Sequence, residues 1–303
     1  MKWAGGKSRL LPQFRKLYPR ELGTGRLTRY VEPFLGGGAV FFDVVQAYPI
    51  AEAFLFDINA ELILIYRVVQ RQVERLIETL EGYSRRYYRL NEEQRKMLYY
   101  QVRERLNAQK SQVDFQRFSE IWIERAAMLL FLNRTCFNGL FRLNSRGEFN
   151  VPFGQHKKPR ILDAENLLRA SAVLALAEIR GGDFEDSFAV IDEETFVYFD
   201  PPYRPLSKTA NFTSYSRYGF GDEEQRRLAA YFARLHAERG AKMMLSNSDP
   251  TNALAGDAFF EDLYREFHIH TVYAQRAINS KGSGRGLIRE LVITNYEARL
   301  FGK

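Results

Sequence analysis

The chain has 303 residues, of which 46% are hydrophobic and 27% are charged, as is usual for a globular protein. Its longest apolar run, Ala126 to Leu132, is far shorter than the ~20 residues that cross a bilayer, and no signal-peptide pattern opens the chain. These features argue against a secreted or membrane protein. The single cysteine, Cys136, excludes an internal disulfide and a multi-cysteine zinc site, and the net charge of +7 favours a polyanionic partner.

Short runs of apolar, β-branched and aromatic residues predict buried strands. In chain order these strands are Tyr30–Phe34, Ala53–Phe56, Phe196–Phe199, Lys242–Leu245 and Leu291–Thr294. Helical patterns lie between them, at Glu61–Tyr66, Ser119–Asn133 and Asp222–Arg239, the last with Asp222 as its predicted cap. Strands that alternate with helices predict a mostly parallel α/β sheet, in which ligands bind beyond the carboxyl ends of the strands.

The alternation is interrupted between the second and third predicted strands. No convincing core strand lies in 61–162, where helical patterns precede a stretch rich in Gly, Asn and Arg. We therefore predict that 61–162 is a domain inserted into a sheet domain formed by 1–60 and 163–303. The four histidines have no recognisable metal-ligand spacing, and His268 and His270 are interpreted as one face of an edge strand, so no metal is expected.

A glycine turn follows the first predicted strand. Gly36, Gly37 and Gly38 allow a left-handed backbone and a close approach by a ligand. Asp57 stands 21 residues after Gly36, at the end of the next strand, where a carboxylate can accept hydrogen bonds from ribose hydroxyls. Phe41 replaces the last glycine of the dinucleotide-binding pattern, which disfavours a pyrophosphate cradle and favours a nucleoside without phosphates.

The third predicted strand ends in Asp200-Pro201-Pro202-Tyr203. Two prolines remove two backbone N–H donors and stiffen the loop, so carbonyl groups and the Asp200 carboxylate remain as hydrogen-bond acceptors. Tyr203 adds an aromatic plane beside them. A site rich in acceptors suits a substrate that presents an amine, although a rigid turn with a surface aspartate is the simpler interpretation of this segment alone.

Four motifs together extend this interpretation. Asp200–Tyr203, Lys2–Lys7, Glu32–Ala39 and Asn138–Leu140 with Arg142 resemble, in the same order along the chain, motifs of the Dam/DpnII-type adenine-N6 DNA methyltransferases. Those enzymes modify the adenine of GATC with S-adenosyl-L-methionine as the cofactor, and the resemblance covers nearly the whole chain. It implies a Rossmann-like methyltransferase sheet with an inserted, mainly helical DNA-recognition lobe that carries a β-hairpin.

The resemblance implies a role for individual residues of the sheet domain. The cofactor would be held by Trp3, Lys7, Phe34, Gly36, Gly38, Asp57, Asp183, Phe184 and Asp200. Within that set, Asp57 would bind the ribose, Asp183 would accept the adenine amino group of the cofactor, and Phe184 would stack on its ring. The catalytic residues would be Asp200, Pro201, Pro202 and Tyr203, with Tyr203 stacking on a flipped target adenine and Phe212 as a second wall.

The expected partner is double-stranded DNA. The segment 133–160 carries six basic residues and one acid, and Gly139–Asn144 with Glu148–Pro152 predicts a β-hairpin, which fits the major groove. By resemblance, the DNA-binding residues would be Lys2, Arg134, Phe137, Asn138, Leu140, Arg142 and Pro152. Arg142 would read guanine and Phe137 would wedge into the base stack. Cys136 stands where a glycine is expected from the resemblance. A separate basic segment, Ser280–Gly286, either clamps phosphates or only connects two strands.

Three other functions are weighed against a DNA adenine methyltransferase. A non-catalytic GATC-binding protein is disfavoured by Trp3, Asp200 and Tyr203, and a protein-glutamine methyltransferase would usually have Asn at position 200. A nicotinamide oxidoreductase is disfavoured by Phe41. We further expect a cytoplasmic protein of a prokaryote or phage that acts as a monomer without a stable protein partner, with a restriction endonuclease for the same site as a candidate cognate enzyme.

Overall fold

The computed structural model describes residues 6–204, 220–252, 254–275 and 287–298. The strands of these residues are β1 (Arg29–Glu32), β2 (Glu52–Asp57), β3 (Ala177–Gly181), β4 (Thr195–Phe199), β5 (Lys242–Ser248), β6 (His268–Gln275) and β7 (Leu287–Thr294). The helices are α1 (Leu11–Phe14), α2 (Arg20–Gly23), α3 (Ala39–Ala47), α4 (Ala60–Arg71), α5 (Val73–Arg89), α6 (Glu92–Ala108), α7 (Ile121–Thr135), α8 (Ala164–Leu174), α9 (Asp222–Arg239) and α10 (Phe259–Leu263). No helix in the described ranges has both the length and the apolar character needed to cross a membrane.

The strands form a mixed sheet in the order β3-β2-β1-β4-β5-β7-β6. The pairs β2–β1, β1–β4 and β4–β5 are parallel, whereas β7 runs antiparallel to both β5 and β6. Every residue of β4 is buried, as expected for a central strand with both faces covered. The sheet confirms the predicted α/β fold class.

The five predicted strands are confirmed as β1, β2, β4, β5 and β7, although β1 ends at Glu32, immediately before Pro33. We did not predict β3, in which Glu178 and Arg180 interrupt the apolar residues of a short strand. The expected edge strand at His268 and His270 is β6. Helix α9 has its predicted bounds, but its cap is Gly221 and not Asp222, because Asp222 already has its place in the first turn.

The chain divides into two compact units. The sheet unit contains Lys7–Ile58 and the described residues from Gly182 onward, and the helical unit contains Gly6 and Asn59–Gly181, a range that includes β3. The sheet unit has its own apolar core, which includes Val31, Val197 and Leu245 from three neighbouring strands. The sequence assigned cofactor binding and catalysis to 1–60 with 163–303, and DNA recognition to 61–162. These roles stay predictions.

The helical unit is built around α7, in which most residues are apolar and all but Ile121, Glu124 and Arg134 are buried. The one buried cation of this helix, Arg125, is held by the carboxylate of Glu61 and donates to the Leu106 carbonyl at 2.8 Å. These bonds fasten α7 to the start of α4 and the end of α6. The helix ends at Thr135, directly before the segment that the sequence assigns to DNA.

That segment is an antiparallel loop with two isolated bridges, Leu143 with Phe149 and Cys136 with Phe153, and it lacks the two continuous strands that we predicted. The first arm is shortened because Gly139, the first residue of the predicted hairpin, belongs to a 3-10 turn and has a φ of +67°. In the second arm, the Asn107 side chain of α6 donates to the Phe149 carbonyl (3.1 Å) and accepts from its N–H (2.8 Å), the backbone groups that face away from the first arm. Tyr99 of the same helix donates to the Val151 carbonyl at 2.7 Å. Helix α6 therefore supports the second arm of the loop.

Two glycines of the helical unit give opposite expectations for substitution by alanine. A Cβ atom at Gly154 would lie 2.4 Å from the Cys136 carbonyl oxygen, whereas one at Gly82, inside α5, meets nothing within 4 Å. Gly154→Ala should lower the free energy of unfolding by about 1–3 kcal/mol. Gly82→Ala should raise it by about 0.5–1 kcal/mol, because alanine has the higher helix propensity. Urea denaturation measures both, and a stable Gly154→Ala variant would contradict the close backbone approach.

Candidate active site

The parallel pairing of β1 with β2 and β4 brings three sequence motifs to one edge of the sheet. The glycine turn follows β1, Asp57 ends β2, and Asp200 follows β4. Since the carboxyl ends of neighbouring parallel strands share an edge, the predicted cofactor turn and the predicted catalytic tetrapeptide leave the sheet side by side. The sheet unit therefore places the glycine turn, Asp57 and Asp200 at one edge.

The glycine turn and Asp57 are joined by hydrogen bonds. The Gly36 N–H donates to Oδ2 of Asp57 at 3.0 Å, and the Leu35 N–H donates to the Phe56 carbonyl at 2.8 Å. Gly36 and Gly38 have φ values of +45° and +64°, so both turn positions require the freedom of glycine. Gly38 is also the residue before α3. The turn is thus a fixed surface of backbone beside a carboxylate, which suits a ribose.

Asp200 lies against a buried lysine. Lys7 Nζ donates to Asp200 Oδ1 at 2.6 Å, and the Lys7 side chain is only 3% exposed. The Ser246 hydroxyl of β5 donates to the same oxygen at 3.3 Å. Burial raises the pKa of Asp200 above its ordinary value, and Lys7 opposes this shift. Burial would lower the pKa of Lys7, but Asp200 and the neighbouring Tyr203 and Glu290 raise it above its ordinary value, so the ammonium stays charged.

The remaining residues of the tetrapeptide are also anchored. Pro201 is buried, and the Pro202 carbonyl accepts a hydrogen bond from Gln225 Nε2 at 3.0 Å. The Tyr203 hydroxyl donates to Oε2 of Glu290 on β7 at 2.8 Å, and Lys7 Nζ lies 4.8 Å from the centre of the Tyr203 ring. Tyr203 nevertheless keeps 37% of its surface exposed. The ring is therefore held at its hydroxyl end while part of its surface stays accessible.

A second buried acid, Glu32, lies beneath the glycine turn at the end of β1. It is 2% exposed and accepts from the Tyr30 hydroxyl at 2.8 Å. Burial raises its pKa well above the ordinary value, the Tyr30 hydrogen bond opposes the shift, and Asp200 and Asp57 add to it. β1, which ends in Glu32, lies between β2 and β4, and these two strands lead to Asp57 and Asp200. This supports their assignment to a single site.

Asp183 and Phe184 follow β3 and begin a 3-10 helix, with Asp183 as its cap. The Arg227 guanidinium of α9 donates to both oxygens of Asp183, at 3.0 and 2.8 Å. Phe184 is 3% exposed, and its ring centre lies 5.4 Å from that of Phe34, the ring after β1. The three predicted cofactor residues are therefore neighbours in an aromatic cluster. The contact of Asp183 and the stacking of Phe184 on a cofactor stay predictions.

The predicted DNA-binding residues of the helical unit differ in exposure from the residues between them. Phe137 is 51% exposed, and Asn138, Arg142 and Pro152 are also exposed, whereas Cys136, Gly139 and Phe141 are buried. Arg134 and Leu140 are half-buried. Asn138, within the 3-10 turn Phe137–Gly139, has a left-handed φ of +56°. Arg142 donates through Nε to Asn150 Oδ1 at 2.8 Å, so its guanidinium is already oriented.

Four predicted contacts lie outside the described residues. These are Lys2 and Trp3 near the start of the chain, Phe212, and the basic segment Ser280–Gly286. Their roles stay predictions.

Comparison with known proteins agrees with this geometry. Residues 3–278 match the family model of the D12 class N6 adenine-specific DNA methyltransferases. The chain belongs to this family. It is 46% identical to the type II methyltransferase M.MjaIII of Methanocaldococcus jannaschii, over 98% of each chain. It is 39% identical to the type II methyltransferase M1.LlaDCHI of Lactococcus lactis, over 97% of this chain and 94% of the relative. It is 36% identical to the DNA adenine methylase of Escherichia coli K12, over 96% of this chain and 93% of the relative.

As a member of the D12 class, the methyltransferase acts on adenine in DNA and uses S-adenosylmethionine as the methyl donor. The hydrogen-bond acceptors of the site fit that cofactor. Asp57 and Asp183 are carboxylate acceptors, which suit ribose hydroxyls and an adenine amine, and Gly36 has no side chain that would keep a ligand from the backbone. Phe41, buried in α3, occupies the position of the third glycine in a pyrophosphate-binding turn.

Four residues that hold predicted site residues by hydrogen bonds were not predicted from the sequence: Ser246, Gln225, Arg227 and Glu290. Each reaches the site from a distant part of the chain. One signal was present for Glu290, because an acid that begins an apolar strand run, Leu291–Thr294, is placed to be buried. No local pattern marks the other three.

The Lys7–Asp200 pair predicts a shift in the acid limb of the pH profile. Asp200 must be ionised to act as an acceptor, so the rate of methyl transfer should fall as the pH drops through its pKa, which burial raises. Lys7→Met removes the group that opposes this shift, so the acid limb should move to higher pH. Single-turnover rates between pH 4 and 8, with Lys16→Met at an exposed lysine as the control, would measure it. Coincident profiles, or a shift to lower pH, would contradict the pairing.

Proposed function

We propose that this methyltransferase transfers a methyl group to N6 of an adenine flipped out of double-stranded DNA, within the sequence GATC. The observation that carries the proposal is the Asp200 carboxylate, which follows a central strand beside the glycine turn. Relatives named DNA adenine methylase support the same substrate.

The Asp200 carboxylate has one oxygen available for an amine. Both hydrogen bonds that it accepts from described residues, from Lys7 and Ser246, end on Oδ1. Oδ2 therefore serves as the acceptor for one N6 hydrogen. The Pro202 carbonyl is already bonded to Gln225, so the Pro201 carbonyl is the acceptor for the second hydrogen. Two acceptors on the N6 hydrogens favour a pyramidal nitrogen, whose lone pair is no longer conjugated into the ring.

The remaining requirement is alignment. Bound S-adenosylmethionine supplies a methyl group on a positively charged sulfur, which is an intrinsically good leaving group. The chain then has to hold nitrogen, methyl carbon and sulfur in line. Asp200 also stabilises the positive charge that develops on N6 until one N6 proton is lost to solvent, and Lys7 fixes this carboxylate in one orientation. A nucleophilic side chain is not needed for such a direct displacement.

The target nitrogen is inaccessible inside a stacked duplex, so the adenine has to leave the helix. Tyr203 provides a platform for the extruded base, because Glu290 fixes its hydroxyl while part of the residue stays exposed. In the helical unit, the exposed Phe137 is suited to fill the gap in the base stack. Both aromatic residues thus have the exposure that base flipping requires.

Sequence selection is assigned to the loop after α7. Arg142 is exposed and donates to Asn150 through Nε and one Nη2 hydrogen, which leaves Nη1 and the second Nη2 hydrogen for a guanine in the major groove. Leu140 and Pro152 are placed for apolar contacts with bases. Two relatives are named type II methyltransferases, so a restriction endonuclease for the same site is proposed as the cognate enzyme. The monomeric state stays a prediction that light scattering can test.

Sequencing of methylated bases tests this proposal, with Arg142→Ala and Arg146→Ala as a matched pair. The wild type should place N6-methyladenine in GATC. Arg142→Ala should lose about 1–3 kcal/mol of discrimination at one base pair, so methylation spreads to sites that differ there. Arg146 has an 82% exposed side chain at the tip of the loop, so Arg146→Ala should weaken binding to all sequences alike. Uniform weakening by Arg142→Ala would instead make Arg142 a phosphate contact.

A further inference from the structure

The carboxylate of Asp183 has nearly all of its hydrogen-bonding capacity in use. Oδ1 accepts from the Glu185 N–H at 3.0 Å and from Arg227 Nη1 at 3.0 Å, and Oδ2 accepts from Arg227 Nη2 at 2.8 Å. A carboxylate has about four lone-pair sites. On Oδ2, the bond from Arg227 Nη2 uses one lone pair, so one acceptor site of this oxygen remains.

The Arg227 guanidinium that sets this arrangement is itself fixed. It donates to Glu224 at 2.7 Å and to Glu185 at 3.3 Å, and it lies 4.2 Å from the centre of the Phe184 ring. A bidentate arginine holds a carboxylate in the plane of its guanidinium, which lysine cannot do. The plane of Asp183, and with it the direction of the remaining lone pair, is thus determined by α9.

The charge state of Asp183 is set by the same contacts. Burial raises the pKa of Asp183, but the hydrogen bonds from Arg227 and the Glu185 N–H outweigh it and hold the pKa below its ordinary value. At neutral pH the group is an ionised carboxylate, which accepts hydrogen bonds and donates none.

We propose that Arg227 is a positioning residue that aims the last acceptor site of Asp183 at the exocyclic amine of the cofactor's adenine, and that this pair makes the site selective for a 6-amino purine. The inference rests on the proposed role of Asp183 in cofactor binding. A purine with a 6-oxo group presents an oxygen to the same carboxylate, so it meets repulsion where the amine finds an acceptor. Arg227 acts through Asp183 and does not itself contact the adenine.

A purely structural role for Arg227 makes a different prediction, and α9 provides a matched control for it. Arg234 of the same helix also lies over an aromatic ring, 4.0 Å from the centre of Phe188, and pairs with Glu238. It makes no contact with Asp183. Loss of packing or of helix charge should therefore affect Arg227 and Arg234 variants alike, whereas loss of positioning should affect only Arg227.

Calorimetric binding of S-adenosylhomocysteine and of its 6-oxo analogue, S-inosylhomocysteine, tests the proposal without measuring activity. The wild type should bind the adenosyl ligand about 10–100-fold more tightly, the range of one hydrogen bond to a charged group. Asp183→Asn should lose this preference. Arg227→Met should reduce it to about threefold or less, Arg227→Lys should lie between, and Arg234→Met should equal the wild type. Arg227→Lys carries the test if Arg227→Met does not fold.

The outcomes separate the inference from the proposed function. Full preference in both Arg227 variants, with loss in Asp183→Asn, would overturn the positioning role and leave Asp183 as the adenine contact. Equal binding of the two ligands by the wild type, or full preference in Asp183→Asn, would overturn the role of Asp183 as well. Loss of preference in Arg234→Met would also overturn the positioning role, since that residue does not reach Asp183. Methylation of GATC by the wild type is measured separately and decides the proposed function.

Discussion

A carboxylate that is largely removed from water at the end of a central strand is costly unless a cation accompanies it, and in this protein Lys7 accompanies Asp200, whose side chain is 21% exposed. The ammonium is itself almost fully buried, so each group depends on the other for its charge. The pair holds Asp200 in one orientation and contacts the ring of Tyr203, whose hydroxyl is bonded to Glu290. The tetrapeptide is thus rigid before any ligand arrives, which is what an alignment mechanism requires.

The parallel strands make this arrangement possible. Because β1 lies between β2 and β4, the cofactor turn, Asp57 and Asp200 leave the same edge of the sheet. The helical unit has a separate core, fastened by the Arg125–Glu61 pair, and a loop whose second arm is held by α6. Chemistry and sequence selection are proposed for two compact units, each of which has its own stabilising contacts.

Local patterns in the sequence were sufficient to predict the fold class, five strands, α9 and the position of the glycine turn. Family motifs were sufficient to assign the residues proposed for the site. The supporting contacts could not be predicted, because they join distant parts of the chain: 193 residues separate Lys7 from Asp200, and Arg227 reaches Asp183 from another helix. The hairpin was predicted as two strands because its residue pattern does not show that Gly139 belongs to a 3-10 turn.

The most direct test removes the carboxylate and keeps the fold. Asp200→Ala should transfer no detectable methyl group from labelled S-adenosylmethionine to a GATC duplex, while its affinity for that duplex stays within a few-fold of the wild type, because Arg142 and Phe137 lie in the other unit. Transfer at a rate near that of the wild type would contradict the claim that Asp200 holds the adenine amine. So would the joint loss of transfer and DNA binding in a folded variant.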